Sequence, residues 1–168
     1  MSEANFDEFY SGASPRLVRQ LFLLTGDVAE AEDVVNEAFE RAWLHWSQVR
    51  LVDSPEAWVR TVARRLAVSR WRRVRNAAEA WRRHGPPEPD PVPLGEHVDV
   101  VNALRQLPLK QRTAVVLHHM ADLSVEQVAA ETGNGVSAVK QQLVRGRAAL
   151  AKLLQESADV SAGTGDVS

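Results

Sequence analysis

Five of the eight prolines fall between Pro86 and Pro93, in the stretch GPPEPDPVP that spans residues 85–93. Proline has no backbone donor and its ring clashes inside a helix, so this stretch belongs to neither a helix nor a sheet interior. It reads as an extended, semi-stiff linker over residues 84–97, with one module before it (1–83) and a second after it (98–156). On both sides apolar residues recur at helical spacing and strand alternation is absent, so the expected class is all-α, two small helical domains. The last stretch, 157–168, is small and polar and is expected to be disordered.

In the first module Phe6, Phe9 and Tyr10 precede a helix that Ser14-Pro15 restarts or continues up to Thr25-Gly26. Asp27, with Glu30 three residues on, resembles a capping box, and the next helix is expected to bury Val28, Ala31, Val34, Val35, Ala38, Phe39, Ala42, Trp43 and Trp46. Its outer face carries Asp33, Glu37, Glu40 and Arg41, a mainly acidic ridge. Ser54-Pro55-Glu56 then reads as an N-cap, a first-turn proline and an acid on the helix dipole. The helix it opens places Trp58, Val59, Val62, Ala63 and Leu66 on an inner stripe, and Arg60, Arg64, Trp71 and Arg75 on roughly the opposite face.

Charge is segregated along this module. Residues 1–56 hold eleven acids against four bases, net −7, whereas residues 60–83 hold nine arginines against Glu79, net +8, in a chain whose total is −2. Such a basic run suits a polyanion, and Trp71 and Trp81 among the arginines add flat surfaces on which unpaired bases stack. Two partners of opposite sign would account for the segregation.

In the second module Ser124-Val125-Glu126-Gln127 matches a capping box, and its helix ends at Thr132-Gly133-Asn134-Gly135. A longer helix follows, with Val136, Val139, Leu143, Leu150 and Leu153 on one face and Ser137, Gln141, Arg145 and Ala148 on the other. A short capped helix, a glycine turn and a basic helix without an acid from Val136 to Lys152 form the helix-turn-helix pattern, whose second helix enters the major groove.

The chain lacks cysteine, so thiolate metal sites, disulfides and cysteine nucleophiles are excluded. The five histidines are scattered; His118 and His119 are adjacent and expected to point apart on a helix, so no chelate or catalytic dyad is read. No catalytic residue, metal or cofactor is expected. The absence of an export signal or a long apolar run leads to the expectation of a cytoplasmic protein without membrane insertion.

With both motifs in hand, the chain resembles the extracytoplasmic-function class of bacterial sigma factors, in the sigma-70 family, over roughly Phe6 to Leu154. AEDVVNEAFERAW (31–43) is similar to the region 2 helix that docks on the clamp helices of the largest subunit of RNA polymerase. SPEAWVRTVARRLAVSRWRR (54–73) is similar to the segments that melt and read the minus 10 element, and residues 107–150 are similar to region 4, which reads the minus 35 element. The resemblance implies a polymerase-docking set of Asp33, Asn36, Glu37, Glu40 and Arg41, and a minus 10 set of Arg60, Arg64, Arg65, Trp71, Arg72 and Arg75. It implies a minus 35 set of Ser137, Lys140, Gln141, Val144 and Arg145. The implied partners are core RNA polymerase and promoter DNA, with room for an anti-sigma factor. The chain departs from family habit at Arg65, at Asn134-Gly135 and at Ser137-Ala138.

Two other readings stand beside this one. A helix-turn-helix regulator acting without being a sigma subunit needs no Arg–Trp segment before the linker, and a helical protein-binding adaptor would not be retained on DNA at low salt.

Overall fold

Thr25-Gly26-Asp27 makes the first corner of the structure, a computed structural model that describes residues 2–81 and 98–163, with side chains over 3–77 and 99–163. Helix α1 (Ser2–Thr25) continues straight through Pro15 and ends where Gly26 takes φ 71°, a left-handed conformation that a Cβ would strain. Asp27 caps α2 (Val28–Leu44) by accepting the Glu30 N–H at 3.1 Å. Its own N–H goes to Thr25 Oγ1 at 3.2 Å, so the capping box is formed only in half and the Glu30 side chain is available elsewhere. A single turn, α3 (Trp46–Val49), leads to α4 (Pro55–Trp81), which Ser54 Oγ caps by accepting the Ala57 N–H at 3.1 Å.

Helices α1, α2 and α4 share one core, centred on Leu17, Leu21, Val34, Val35, Ala38, Val59 and Ala63. The side chains of Phe6, Phe9 and Tyr10 meet Phe39, Trp43 and Trp46 at its edge, with Trp46 stacked on Phe9 at 5.4 Å between ring centroids. Two residues expected in the core lie outside it: Val28 and Trp43 are 39% and 42% exposed. Val28 is the first residue of α2, and Trp43 makes a tilted contact with Phe6 at 5.0 Å between ring centroids while one side of it opens onto the surface. Arg16 of α1 grips Glu56 of α4 through two bonds of 3.1 and 3.0 Å, which fixes the start of α4 against α1.

The chain divides into two compact units, Met1–Val92 and Pro93–Ser168. The expected linker 84–97 lies outside the described residues, as does the Trp81 side chain. In the second unit α5 (Val98–Gln106) and α6 (Leu109–Val115) lead into a π-helical turn, Val116–Met120, and then α7 (Val125–Thr132) and α8 (Val136–Gly163). Both halves of the capping box at α7 are present: Ser124 Oγ accepts the Gln127 N–H at 3.1 Å, and Gln127 Oε1 accepts the Ser124 N–H at 2.8 Å. Gly133, at φ 70°, turns the chain between α7 and α8. Val101, Leu104, Leu117, Val128 and Val139 form the second core. Helix α8 crosses α6 at Gly146, where a Cβ would stand 2.8 Å from Val115 Cγ2, so only hydrogen fits.

Two expectations fail in this unit. Residues 157–163, expected to be disordered, continue α8, because nothing from Ser157 to Ala162 breaks a helix; 164–168 lie outside the described residues. His118 and His119 do not point apart: their rings meet edge to face at 4.8 Å, because the π-turn alters the angular step on which that expectation rests.

Candidate nucleic-acid and partner interfaces

The outer face of α2 has a crest and two flanks. Asp33 stands exposed on the crest. One flank opens into a groove of about 600 Å³ between α1 and α2, lined by Phe6, Tyr10, Asn36, Phe39, Glu40, Trp43 and Leu44. Tyr10 donates to Asn36 Oδ1 at 3.3 Å across it, and Leu44 is 76% exposed at its end. The groove therefore combines an apolar and aromatic floor with one carboxylate, Glu40, a surface for a helix that offers apolar side chains and a basic one.

The other flank faces α4. Glu37 accepts from Arg41 at 2.8 Å and from Arg70 at 2.8 Å, so both of its oxygens are engaged, and Arg70 also lies 3.7 Å from Glu30. Of the five residues expected to form one docking set, Asp33, Asn36 and Glu40 face outward or into the groove, whereas Glu37 and Arg41 turn to α4. Arg41 also lines a second cavity, of about 340 Å³, with His45, Gln48, Val49, Val52, Trp58 and Val62. Tyr10, Trp43 and Leu44 were not on the expected surface; helical periodicity had assigned Trp43 to the core.

On α4 the expected minus 10 set divides. Arg60 is only 4% exposed, so it is removed from the open face on which spacing had put it. It lies where α1 covers the first turns of α4 and donates to Gln20 Oε1 at 3.5 Å, and Gln20 is itself buried. Arg64 is half-buried. Arg65, Trp71, Arg72 and Arg75 are exposed, with Arg75 Cζ 5.3 Å from the Trp71 ring centroid in a cation–π contact. What remains is Arg65 and, near the far end of the described side chains, a shorter cationic and aromatic strip of Trp71, Arg72 and Arg75.

On α8 the expected set stays whole. Ser137, Lys140, Gln141, Val144 and Arg145 are all exposed, while Val139, Leu143 and Gly146 are buried. None of the five side chains bonds to another of the described residues, so their donors and acceptors are available to a ligand. Elsewhere on α8 Arg147 Nε donates to His119 Nε2 at 2.9 Å, and within the π-turn and the loop after it His118 Nδ1 donates to the Leu123 carbonyl at 2.7 Å. Since a guanidinium can only donate, His119 is neutral here with its proton on Nδ1. Burial first, then Arg147 and His118, holds its pKa below the ordinary imidazole value. Among the described residues no group of three side chains is placed to hold a metal ion, and no helix is long and apolar enough to cross a membrane.

Comparison with known proteins matches this geometry to a family. The model of sigma-70 region 2 matches residues 9–77, and that of sigma-70 region 4 matches residues 97–150. The chain belongs to the sigma-70 family. Within it, the extracytoplasmic-function sigma factor SigL of Mycobacterium tuberculosis is 35% identical over 147 residues, covering 83% of each chain. The sigma-E factor of Streptomyces coelicolor is 29% identical over 154 residues, covering 90% of this chain and 85% of its own length. Among solved structures, the sigma factor RpoE of Bartonella quintana, in complex with the anti-sigma factor NepR, superposes with a TM-score of 0.77. It shares 24% identity and covers 90% of this chain and 97% of its own, a likeness of fold. As a member of the family, this sigma factor is an alternative initiation factor that directs RNA polymerase to promoters.

Proposed function

We propose that the sigma factor divides its work among three surfaces. The crest of α2 and its groove, with Asp33, Asn36, Glu40, Tyr10, Trp43 and Leu44, dock on the clamp helices of the largest polymerase subunit. Arg65, Trp71, Arg72 and Arg75 of α4, with Arg64 behind them, hold the melted minus 10 strand by phosphate contact and stacking. Ser137, Lys140, Gln141, Val144 and Arg145 of α8 read the minus 35 element. The protein works in the cytoplasm without a catalytic site of its own, and an anti-sigma factor belongs to the same reading as a further, family-type partner.

The observation that carries this reading is the coexistence, in one small unit, of an open aromatic groove with Glu40 on its wall and an exposed Arg–Trp strip. A regulator that only binds duplex DNA through α8 has use for neither. The division is tested with Asp33→Lys combined with Glu40→Lys, a pair that leaves the Glu37 bridges in place. The double variant is expected to stay helical, to lose affinity for core polymerase by at least about tenfold, and to lose run-off transcription in step. Wild-type affinity for core in the folded double variant would move the docking surface elsewhere, and promoter binding without core would favour the regulator.

A further inference from the structure

Glu37 and Arg70 join the two surfaces that the proposed function assigns to different partners. Arg70 Nη2 donates to Glu37 Oε2 at 2.8 Å, Arg70 Nη1 lies 3.7 Å from Glu30 Oε1, and Arg41 Nη2 takes the other Glu37 oxygen at 2.8 Å. Arg70 is 31% exposed and Glu37 34% exposed, so water and ions reach the bridge and screen it. Ion pairs so exposed are weak and exchange readily for another partner. Glu37 lies on the flank of α2 next to the exposed Asp33, and Arg70 is followed on α4 by the exposed Trp71, Arg72 and Arg73.

We propose that this bridge is a latch: in the free chain Glu37 holds Arg70 away from nucleic acid, and a basic side chain of polymerase that takes over Glu37 releases Arg70 to the melted strand. The inference rests on α2 being the docking helix. No change of fold is needed, because the exchange replaces one guanidinium or ammonium at Glu37 by another and lets a long side chain swing toward its neighbours. Docking then strengthens strand binding by one added cation, which couples the two partners through a single carboxylate.

The test uses the full chain and a short fluorescein-labelled single-stranded oligonucleotide, with binding read by anisotropy across a salt series. Glu37→Gln opens the latch and is expected to tighten binding about threefold, with a salt slope steeper by about 0.7 for one further phosphate contact. Glu32→Gln removes the same charge from an exposed position of the same helix and is expected to stay near wild type. In the Glu37→Gln background, Arg70→Gln abolishes the gain and Arg41→Gln keeps most of it, with circular dichroism confirming that each variant is folded. At saturating core polymerase the advantage of Glu37→Gln disappears, since the latch is then open in both proteins. Equal gains from Glu32→Gln and Glu37→Gln, a gain that survives Arg70→Gln, or an advantage that persists in the complex would each overturn the latch. Failure of the docking reading shows separately, as wild-type core affinity of the Asp33→Lys, Glu40→Lys variant, whose bridge is intact.

Discussion

Helix α8 presents its five candidates, four polar or basic and one valine, on its exposed face, whereas on α4 the arginines are spread from the interior to the surface. Arg60 is buried against Gln20, Arg64 is half-buried, Arg70 is bridged to α2, and Arg65, Arg72, Arg73 and Arg75 stand exposed. The reason lies in what covers each helix. The candidates on α8 all stand off the face that packs on α5, α6 and α7, while the first turns of α4 are enclosed by α1 on one side and α2 on the other. The arginines of one helix thus fall into three environments: packed, bridged and exposed. The same side chain suits all three because its apolar stem packs while its fork finds a carboxylate, an amide or a phosphate.

The largest effect that would break this contrast is in stability. Arg60→Ala removes a buried guanidinium and strands the Gln20 amide, and is expected to cost about 1.5–3 kcal/mol, the scale of hydrogen bonds to charged groups. Arg72→Ala, an exposed change, is expected to stay within about 0.5 kcal/mol of wild type. Urea denaturation of both variants decides it. If Arg60→Ala unfolds at the wild-type midpoint and instead weakens strand binding, α4 presents one continuous basic face and the contrast with α8 collapses.

What could be read from the sequence follows the same division. Ser54, the Ser124–Gln127 box and the Gly133 turn were legible because a cap or a left-handed glycine is decided by residues three or four apart. The exposed face of α8 was legible because a helix in a helix-turn-helix has one inner stripe, and Val139 and Leu143 mark it. Arg60 was not, since what it packs against includes Gln20, forty positions away on another helix. Trp43 failed for the opposite reason: periodicity put it with the core, but it stands at the edge of the α1–α2 contact, packed on Phe6 and 42% exposed. Gly146 carried no local signal, because its need for a bare hydrogen comes from Val115 on α6.

A second test sharpens the comparison on the α8 side. Gln141 points away from the Val139–Leu143 stripe and has both amide groups available, which suits the N6 and N7 edge of an adenine. Gln141→Ala is expected to cost about 1–3 kcal/mol at one A·T pair of the minus 35 element and to relax the preference there. Lys140→Ala, read as a phosphate contact, is expected to weaken all sequences alike and to lower the salt slope by about one. Selection of binding sites with both variants separates these effects; a Gln141 variant that keeps the wild-type preference at every position would remove Gln141 from the reading set.

The smallest expected effect lies behind α8, where the helix is tied to the π-turn through His119. Because its pKa is held low in the folded chain, the unfolded chain takes up a proton first as the solution is acidified. The neutral ring's contribution to stability is therefore complete above the unfolded value of about 6.5 and is lost as pH falls through it toward the lower, folded value. A proton on Nε2 also removes the acceptor for the Arg147 Nε–H, so the tie itself opens. The ring is exposed, which limits the change to under about 1 kcal/mol. Thermal melts between about pH 5 and 7.5 should show wild type losing stability on the acid side of that window, while His119→Gln, which keeps an acceptor but cannot titrate, loses less. Identical pH profiles for the two proteins would mean that the Arg147 tie holds α8 no better with a neutral ring than with a charged one, and that its packing against α5, α6 and α7 holds it without the tie.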